Sequence, residues 1–349
     1  GELKTMLESQ YDSKNIRRLK ISGDLNYYDL VNIRTFQNVE SLDITEVDGA
    51  ETLYEDYFSG WTALKSVYIV DFEAWLNIVF SDSYASPCTY IADVYLNNEK
   101  LTEIVIPNNI TDIGYEAFYG WGSLTKVTIP SNVTSIGHGA FKECRNLEEV
   151  VLSNGLTDIG YAAFAYCTSL THITLPADLK KIGACAFWEC EGLTELAIPD
   201  SVTNIESSAF AYCCRLTELT IPANVTEIGN GAFASCSKLK EINVASDNAN
   251  YSSAEGVLFD KNKTLLITFP GGKTGNYEIP DGVTRIYEDA FWGWECSELV
   301  SVTVPASVTN IDSGAFMHRD KLIKVTILNS SATFGSDVFY NCNNVTIYG

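Results

Sequence analysis

Along most of the chain the apolar positions keep to one frame. In residues 216–222 (LTELTIP), Leu216, Leu219 and Ile221 fall on one side of an extended segment while Thr217, Glu218 and Thr220 fall on the other. This spacing predicts a strand with one buried face. Pro222 lacks an amide hydrogen and ends it. Val225 and Ile228 then turn back toward the core, Gly229 permits a tight bend, and Ala232 with Phe233 fills the interior. The pattern closes into one short coil before the next leucine begins.

The coil is written repeatedly. Phe118, Phe141, Phe164, Phe187, Phe210 and Phe233 stand 23 positions apart, and six residues after each comes Leu124, Leu147, Leu170, Leu193, Leu216 or Leu239. A unit this short cannot bury its apolar side alone, so the units must stack as a solenoid. The same frame recurs at Leu19, Leu42, Leu64 and Leu322. Two gaps interrupt it, of 37 positions from Leu64 to Leu101 and of 35 from Val244 to Ile279. Residues 256–270 (GVLFDKNKTLLITFP) predict a hairpin about a Lys-Asn-Lys turn. Trp75, Ile78, Phe80 and residues 94–96 predict strand in the first gap. Residues 2–10 predict an amphipathic helix covering the first coil, and 27–36 show helical spacing.

Composition narrows the function. A formal net charge of -22 excludes a footprint for nucleic acid or an anionic membrane surface, and a basic or neutral partner fits better. No run approaches the roughly 18 apolar residues that span a bilayer, so no transmembrane segment is expected. The chain starts at Gly1 without a signal-like segment, and any targeting peptide is expected to have been removed or left out.

The repeated string, as in residues 132–144 (NVTSIGHGAFKEC) and 224–236 (NVTEIGNGAFASC), resembles the BspA-type leucine-rich repeat family, specifically over 101–339 and more weakly before. LKISG at 19–23, with the predicted helix, is similar to that family's N-terminal cap. Ser153 and Leu328 depart from the pattern at the strand-ending proline, and Arg319 departs at the cysteine. The fold expected is a leucine-rich repeat solenoid, a right-handed superhelix of stacked parallel strands, mostly β, with short helical turns and a helical N-terminal cap. Residues 1–349 are expected to form a single solenoid: 1–37 cap and first coil, 38–100 irregular coils with an insertion, 101–244 regular repeats, 245–280 an inserted hairpin, and 281–349 C-terminal repeats. The resemblance implies a bacterial, or sometimes protozoan, surface or secreted protein of the adhesin kind, binding host matrix proteins or other cells.

Five of the ten cysteines, Cys144, Cys167, Cys190, Cys213 and Cys236, share one slot three residues after the phenylalanine, as does Cys342. Stacked coils set equivalent atoms about 4.8 Å apart with parallel side chains, whereas a disulfide needs Cβ atoms at about 3.5 to 4.5 Å and converging. The cysteines are therefore expected to be buried free thiols filling space, with Cys88, Cys185 and Cys296 outside the column and more exposed. No CxxC pair exists and the three histidines are dispersed, so neither a metal nor another cofactor is expected.

Trp61, Trp121 and Trp294 take the cysteine slot beside the irregular coils; they read as a ligand platform or as filling for a wider coil interior. Tyr119, Tyr166, Trp188, Tyr212 and Trp292 fall on the turn edge as more accessible rings, of which Trp188 and Trp292 are candidate glycan-stacking residues.

At the third strand position the coils supply Glu103, Lys126, Glu149, His172, Glu195, Glu218 and Glu241. The first three alternate in sign, as in an ion-pair ladder. The last three do not, and like charges facing each other across strands are mildly destabilising. The column is either a solvated face, its flanking threonines being good strand formers, or a recognition surface for a Lys- or Arg-bearing protein. Arg17, Arg18 and Lys20 predict a basic patch at the other end. Asn132, Asn224 and Asn262 match glycosylation acceptors. No catalytic motif is present: Pro270-Gly-Gly-Lys-Thr274 lacks the first glycine of a phosphate loop. A non-enzymatic extracellular or cell-surface binding scaffold is expected, with an extracellular protein or glycoconjugate as partner; a glycan-binding module and a passive spacer are the alternatives.

Overall fold

A computed structural model describes residues 15–24, 36–48, 52–53, 58, 60–69, 71–76, 79–80, 88, 92–293 and 298–349. The predicted helix over 2–10, most of 27–36, and Ile78, Trp294 and Cys296 lie outside the described residues. The chain forms two compact units, Gly1–Leu156 with Gly160–Ser169, and Thr157–Ile159 with Leu170–Gly349. Each is a stack of coils, a solenoid of parallel strands.

In the first unit, Arg18–Asp24, Ser41–Asp48, Ser66–Ile69 and Asp93–Leu96 are parallel neighbours. Glu103–Val105, Lys126–Ile129 and Glu149–Leu152 follow in a register of one repeat, with Lys126 opposite both Glu103 and Glu149. In the second unit Glu218–Ile221 pairs with Glu241–Val244, and Gly275–Glu278, Leu299–Val304, Lys324–Ile327 and Thr346–Tyr348 form a further parallel sheet. A second wall of two-residue strands, such as Asp158–Ile159, Lys181–Ile182, Asn204–Ile205 and Glu227–Ile228, runs beside them.

The interior follows the frame read from the sequence. Phe118 stacks on Phe141 at 4.9 Å between ring centroids and Phe187 on Phe210 at 5.2 Å, and all of these rings are fully buried. The threonines flanking the strands do more than favour β-structure. Thr125 Oγ1 donates to the Thr102 carbonyl, Thr194 Oγ1 to that of Thr171, and Thr226 Oγ1 to that of Thr203, each one coil back. Where the strand-ending proline is absent, Ser153 N donates to the Ile129 carbonyl and Leu328 N to that of Val304, a rung that proline cannot make.

Three local expectations change. The phenylalanine edge is built from turns rather than helices, with left-handed non-glycine residues such as Glu143, Tyr166, Glu189 and Tyr212; the single helix among the described residues is Phe72–Leu76. That helix carries Trp75, which the sequence placed in a strand: a run of five residues is too short for its periodicity to separate the two states. Gly229 does not adopt a positive φ. A Cβ there would stand 2.3 Å from Ser207 N, so glycine is required by the closeness of the preceding coil. The predicted hairpin is present as Val257–Asp260 antiparallel to Leu265–Thr268, extended by Tyr251–Ala254 into a three-stranded meander. Tyr251 Oη accepts from Ile228 N and donates to the Thr226 carbonyl, so the insertion caps the second wall.

Candidate functional site

The alternation of each strand turns its third residue to solvent. In the first unit this produces the ion pair expected from the alternating signs: Lys126 Nζ lies 2.9 Å from Glu149 Oε2, and that hydrogen bond raises the Lys126 ammonium above its ordinary pKa, against desolvation. The predicted basic patch is largely neutralised by its neighbour strand. Arg17 lies 3.9 Å from Glu40, Lys20 3.9 Å from Asp43, and Lys65 3.0 Å from Glu40.

The second unit differs. His172, Glu195, Glu218 and Glu241 are all exposed, Glu218 faces Glu241 in register, and among the described residues no lysine or arginine lies within ion-pairing distance of the three glutamates. The sheet itself is incomplete here. Residues 171–175 and 194–198 keep strand alternation, with Ile173, Leu175, Leu196 and Ile198 turned inward, yet form no ladder beyond Thr194 N donating to the Thr171 carbonyl at 3.0 Å. A trough of about 930 Å³ opens over them, lined by His172, Glu195, Ala197, Glu218, Thr220 and Asn243 among others. Its four inward residues are 5 to 8% exposed, where Leu216, Val225 and Leu239 of the same unit are at 0%.

At the turn edge of the same unit, Trp188 and Trp292 come together. Their ring centroids are 6.4 Å apart, with Tyr212 at 5.1 Å from Trp188 and 5.8 Å from Trp292. Trp188 Nε1 donates to Glu189 Oε1 at 3.0 Å, while the buried Trp292 Nε1 has no acceptor among the described residues. All three rings are half-buried. Tyr119 is buried, against expectation, with Lys142 Nζ 5.2 Å from its ring centroid. Trp61 and Trp121 are fully buried and pack edge-on against Phe58 and Phe118. They fill the coil interior; Trp294 lies outside the described residues.

The cysteine column consists of free thiols, and its members in residues 144–236 are fully buried. They are more than space-filling. Cys144 Sγ donates to the Phe118 carbonyl at 3.1 Å, Cys213 to that of Phe187 at 3.4 Å and Cys236 to that of Phe210 at 3.2 Å. Arg319 occupies the slot with its Nε on the Phe291 carbonyl. Cys88, expected to be exposed, is fully buried, and burial pushes its thiol pKa strongly up; Cys185 and Cys214 are partly exposed. Asn132 Nδ2 donates to the Ile110 carbonyl and Asn224 Nδ2 to that of Asp200, so both act as coil-to-coil ties, whereas Asn262 is exposed on its turn. Among the described residues no three metal-ligating side chains gather, and no helix is long and apolar enough to cross a membrane.

The chain is similar to known proteins of one kind. The family model described as the BspA type leucine rich repeat region matches in six copies over 89–213, 157–274 and 267–348. A leucine rich cell surface protein from Faecalibacterium prausnitzii A2-165 is 30% identical, with 88% of this chain and 74% of that one covered and a TM-score of 0.61. The pneumococcal vaccine antigen PcpA shares the fold at 23% identity, covering 71% of this chain and 72% of its own, with a TM-score of 0.60. No curated protein matches. Repeat, fold and similarity agree, and the chain belongs to the BspA-type leucine-rich repeat family.

Proposed function

We propose that this protein is a bacterial cell-surface or secreted scaffold of the adhesin kind, which holds a protein partner on its strand face without chemical turnover. The reading is carried by the second unit, where three exposed glutamates on consecutive coils have no lysine or arginine within ion-pairing distance among the described residues, and two of them, Glu195 and Glu218, line an open trough. A rigid stack that repeats the same side chain from coil to coil suits a macromolecule making many modest contacts. The charge of -22 favours a basic partner. The similar Faecalibacterium prausnitzii protein is described as a cell surface protein, which supports the same address for this chain.

The test is an array of matrix proteins, mucins and glycans probed at two ionic strengths. Retention of a basic protein that weakens with salt and with Glu195→Lys plus Glu218→Lys is the expected result. Binding unchanged by both removes the strand face. A second reading, glycan binding, is favoured by the meeting of the half-buried rings of Trp188, Tyr212 and Trp292, since sugars stack on rings. It predicts retention lost on Trp188→Ala or Trp292→Ala and indifferent to salt.

A further inference from the structure

The trough on the strand face of the second unit is an unfinished β-ladder, and we propose that it takes an extended, lysine- or arginine-bearing segment of a protein partner through main-chain hydrogen bonds. The proposal rests on the strand-face reading and states how that face engages its partner.

Regular coils show what is missing. The Thr102 carbonyl accepts from Thr125 N at 2.7 Å, the Thr125 carbonyl from Glu148 N at 2.8 Å, and the Thr217 carbonyl from Lys240 N at 2.9 Å. By the same repeat Thr217 N should donate to Thr194, and it does not; no main-chain bond joins residues 194–198 to residues 217–221. The other sides of these two coils are closed. Thr226 N donates to the Thr203 carbonyl at 2.9 Å, Gly229 N to that of Ile205 at 2.8 Å, Phe210 N to that of Ala232 at 2.8 Å and Tyr212 N to that of Ala234 at 2.9 Å. Two coils bonded to each other on two sides and not on the third leave the main-chain amides and carbonyls between residues 194–198 and 217–221 without the ladder partners that the repeat supplies elsewhere. Such an edge is a template for another strand, and little ordering is left to oppose its addition.

Charge selects the occupant. Glu195 and Glu218 line the trough with exposed Asp200, and Glu241 is exposed on the next coil. An added strand runs alongside residues 194–198 and 217–221 and so crosses the glutamate row, setting one basic side chain by Glu195 and Glu218, while the next ones on the same face, about 6.6 Å apart, run toward Asp200. A second copy of the chain carries the same charge of -22 and is repelled.

The experiment uses the whole chain and two labelled eight-residue peptides of alternating Lys and Thr, one plain and one N-methylated at every amide. Methylation keeps the charge and removes the strand-forming edge. Fluorescence polarisation at low salt is expected to show the plain peptide binding at least tenfold tighter than the methylated one. Glu195→Gln plus Glu218→Gln, both at exposed positions, should weaken the plain peptide at least tenfold. Hydrogen exchange of amides 195–198 and 217–218 should slow when it binds. Equal binding of the two peptides overturns the proposal, as does sedimentation showing two copies of the chain covering the trough. If a folded basic protein is retained through the glutamates while neither peptide binds, this proposal falls and the strand-face reading stands; if nothing basic is retained, both fall.

Discussion

The Nε of Arg319 donates to the carbonyl oxygen of Phe291, as the thiol of Cys144 does to that of Phe118 at 3.1 Å. Arginine thus replaces cysteine as donor in the same slot, but it must also house a guanidinium at 1% exposure. Gly293 provides part of that room, since a Cβ there would stand 2.7 Å from Arg319 Cζ, and the ring of Phe269 lies 5.9 Å from the same carbon. Gly293→Ala should cost about 1 to 3 kcal/mol by overpacking. In an Arg319→Cys background the same change should cost well under half of that. Urea unfolding of the four proteins measures the coupling, and additivity would disprove the contact.

The thiol column gives the protein an alkaline weakness. Burial pushes Cys144 and Cys236 up to about 12, while an unfolded cysteine ionises at about 8.5. A group whose folded pKa is raised contributes its full stability below the unfolded value and loses it as pH rises toward the folded one. Stability should therefore be flat to about pH 8 and then fall by up to about 1.4 kcal/mol per pH unit for each buried thiol. Urea midpoints between pH 7 and 10.5 should show the fall, and Cys144→Ser should make it shallower. Thiol reagents at pH 8 should label Cys185, Cys214 and Cys342 in the native protein and reach Cys144, Cys167, Cys190, Cys213 and Cys236 only after unfolding.

Much of this architecture was legible before any coordinates, because each coil restates the same constraint: a leucine, phenylalanine or cysteine in a given slot meets its own equivalent one repeat away. The trough was not legible. Residues 193–198 (LTELAI) carry the same alternation as 216–221 (LTELTI), and whether two such strands pair depends on the splay between coils, which no single coil encodes. The repeat frame sets Trp188 and Trp292 on one turn edge but does not bring them into contact. They meet because residues 251–268 leave the coil path as a meander, and Ser235 N then reaches the Trp292 carbonyl at 3.4 Å. The thiol-to-carbonyl bonds are not legible in the sequence because cysteine in an apolar slot reads as a small hydrophobe.

Asp289 predicts a pH effect of the same origin in a lower pH range. Desolvation, with Glu288 adding repulsion, raises its carboxyl to about 6, against about 3.9 when unfolded. With the folded value raised, its full stability is present below pH 4 and lost as pH rises through about 6. Asp289→Asn should therefore stabilise the protein at pH 7.5, by about 1 kcal/mol once solvent screening of a half-exposed group is allowed for, and leave it unchanged near pH 4. Asparagine tolerates the φ of 58° at this position. Thermal unfolding at the two pH values decides the matter; equal shifts at both would place the effect in packing.

Two glycines at the same slot of the repeat separate stacking from chain entropy. Gly137 sits under the preceding coil, where a Cβ would stand 2.6 Å from the Ile113 carbonyl oxygen and 2.9 Å from Gly114 C. These are backbone atoms held by the bond from Gly137 N to the Ile113 carbonyl at 2.8 Å, so neither can yield cheaply. Gly114, one repeat earlier, has nothing within 4 Å of the same position, and its φ is not in the left-handed region. Gly137→Ala should destabilise by about 2 to 4 kcal/mol, mostly by forcing two coils apart. Gly114→Ala should be neutral or stabilise by about 0.4 to 1 kcal/mol, because alanine has fewer unfolded conformations to lose. If the two substitutions have the same effect in urea unfolding, the glycine in this slot serves the bend within a coil and not the contact between coils.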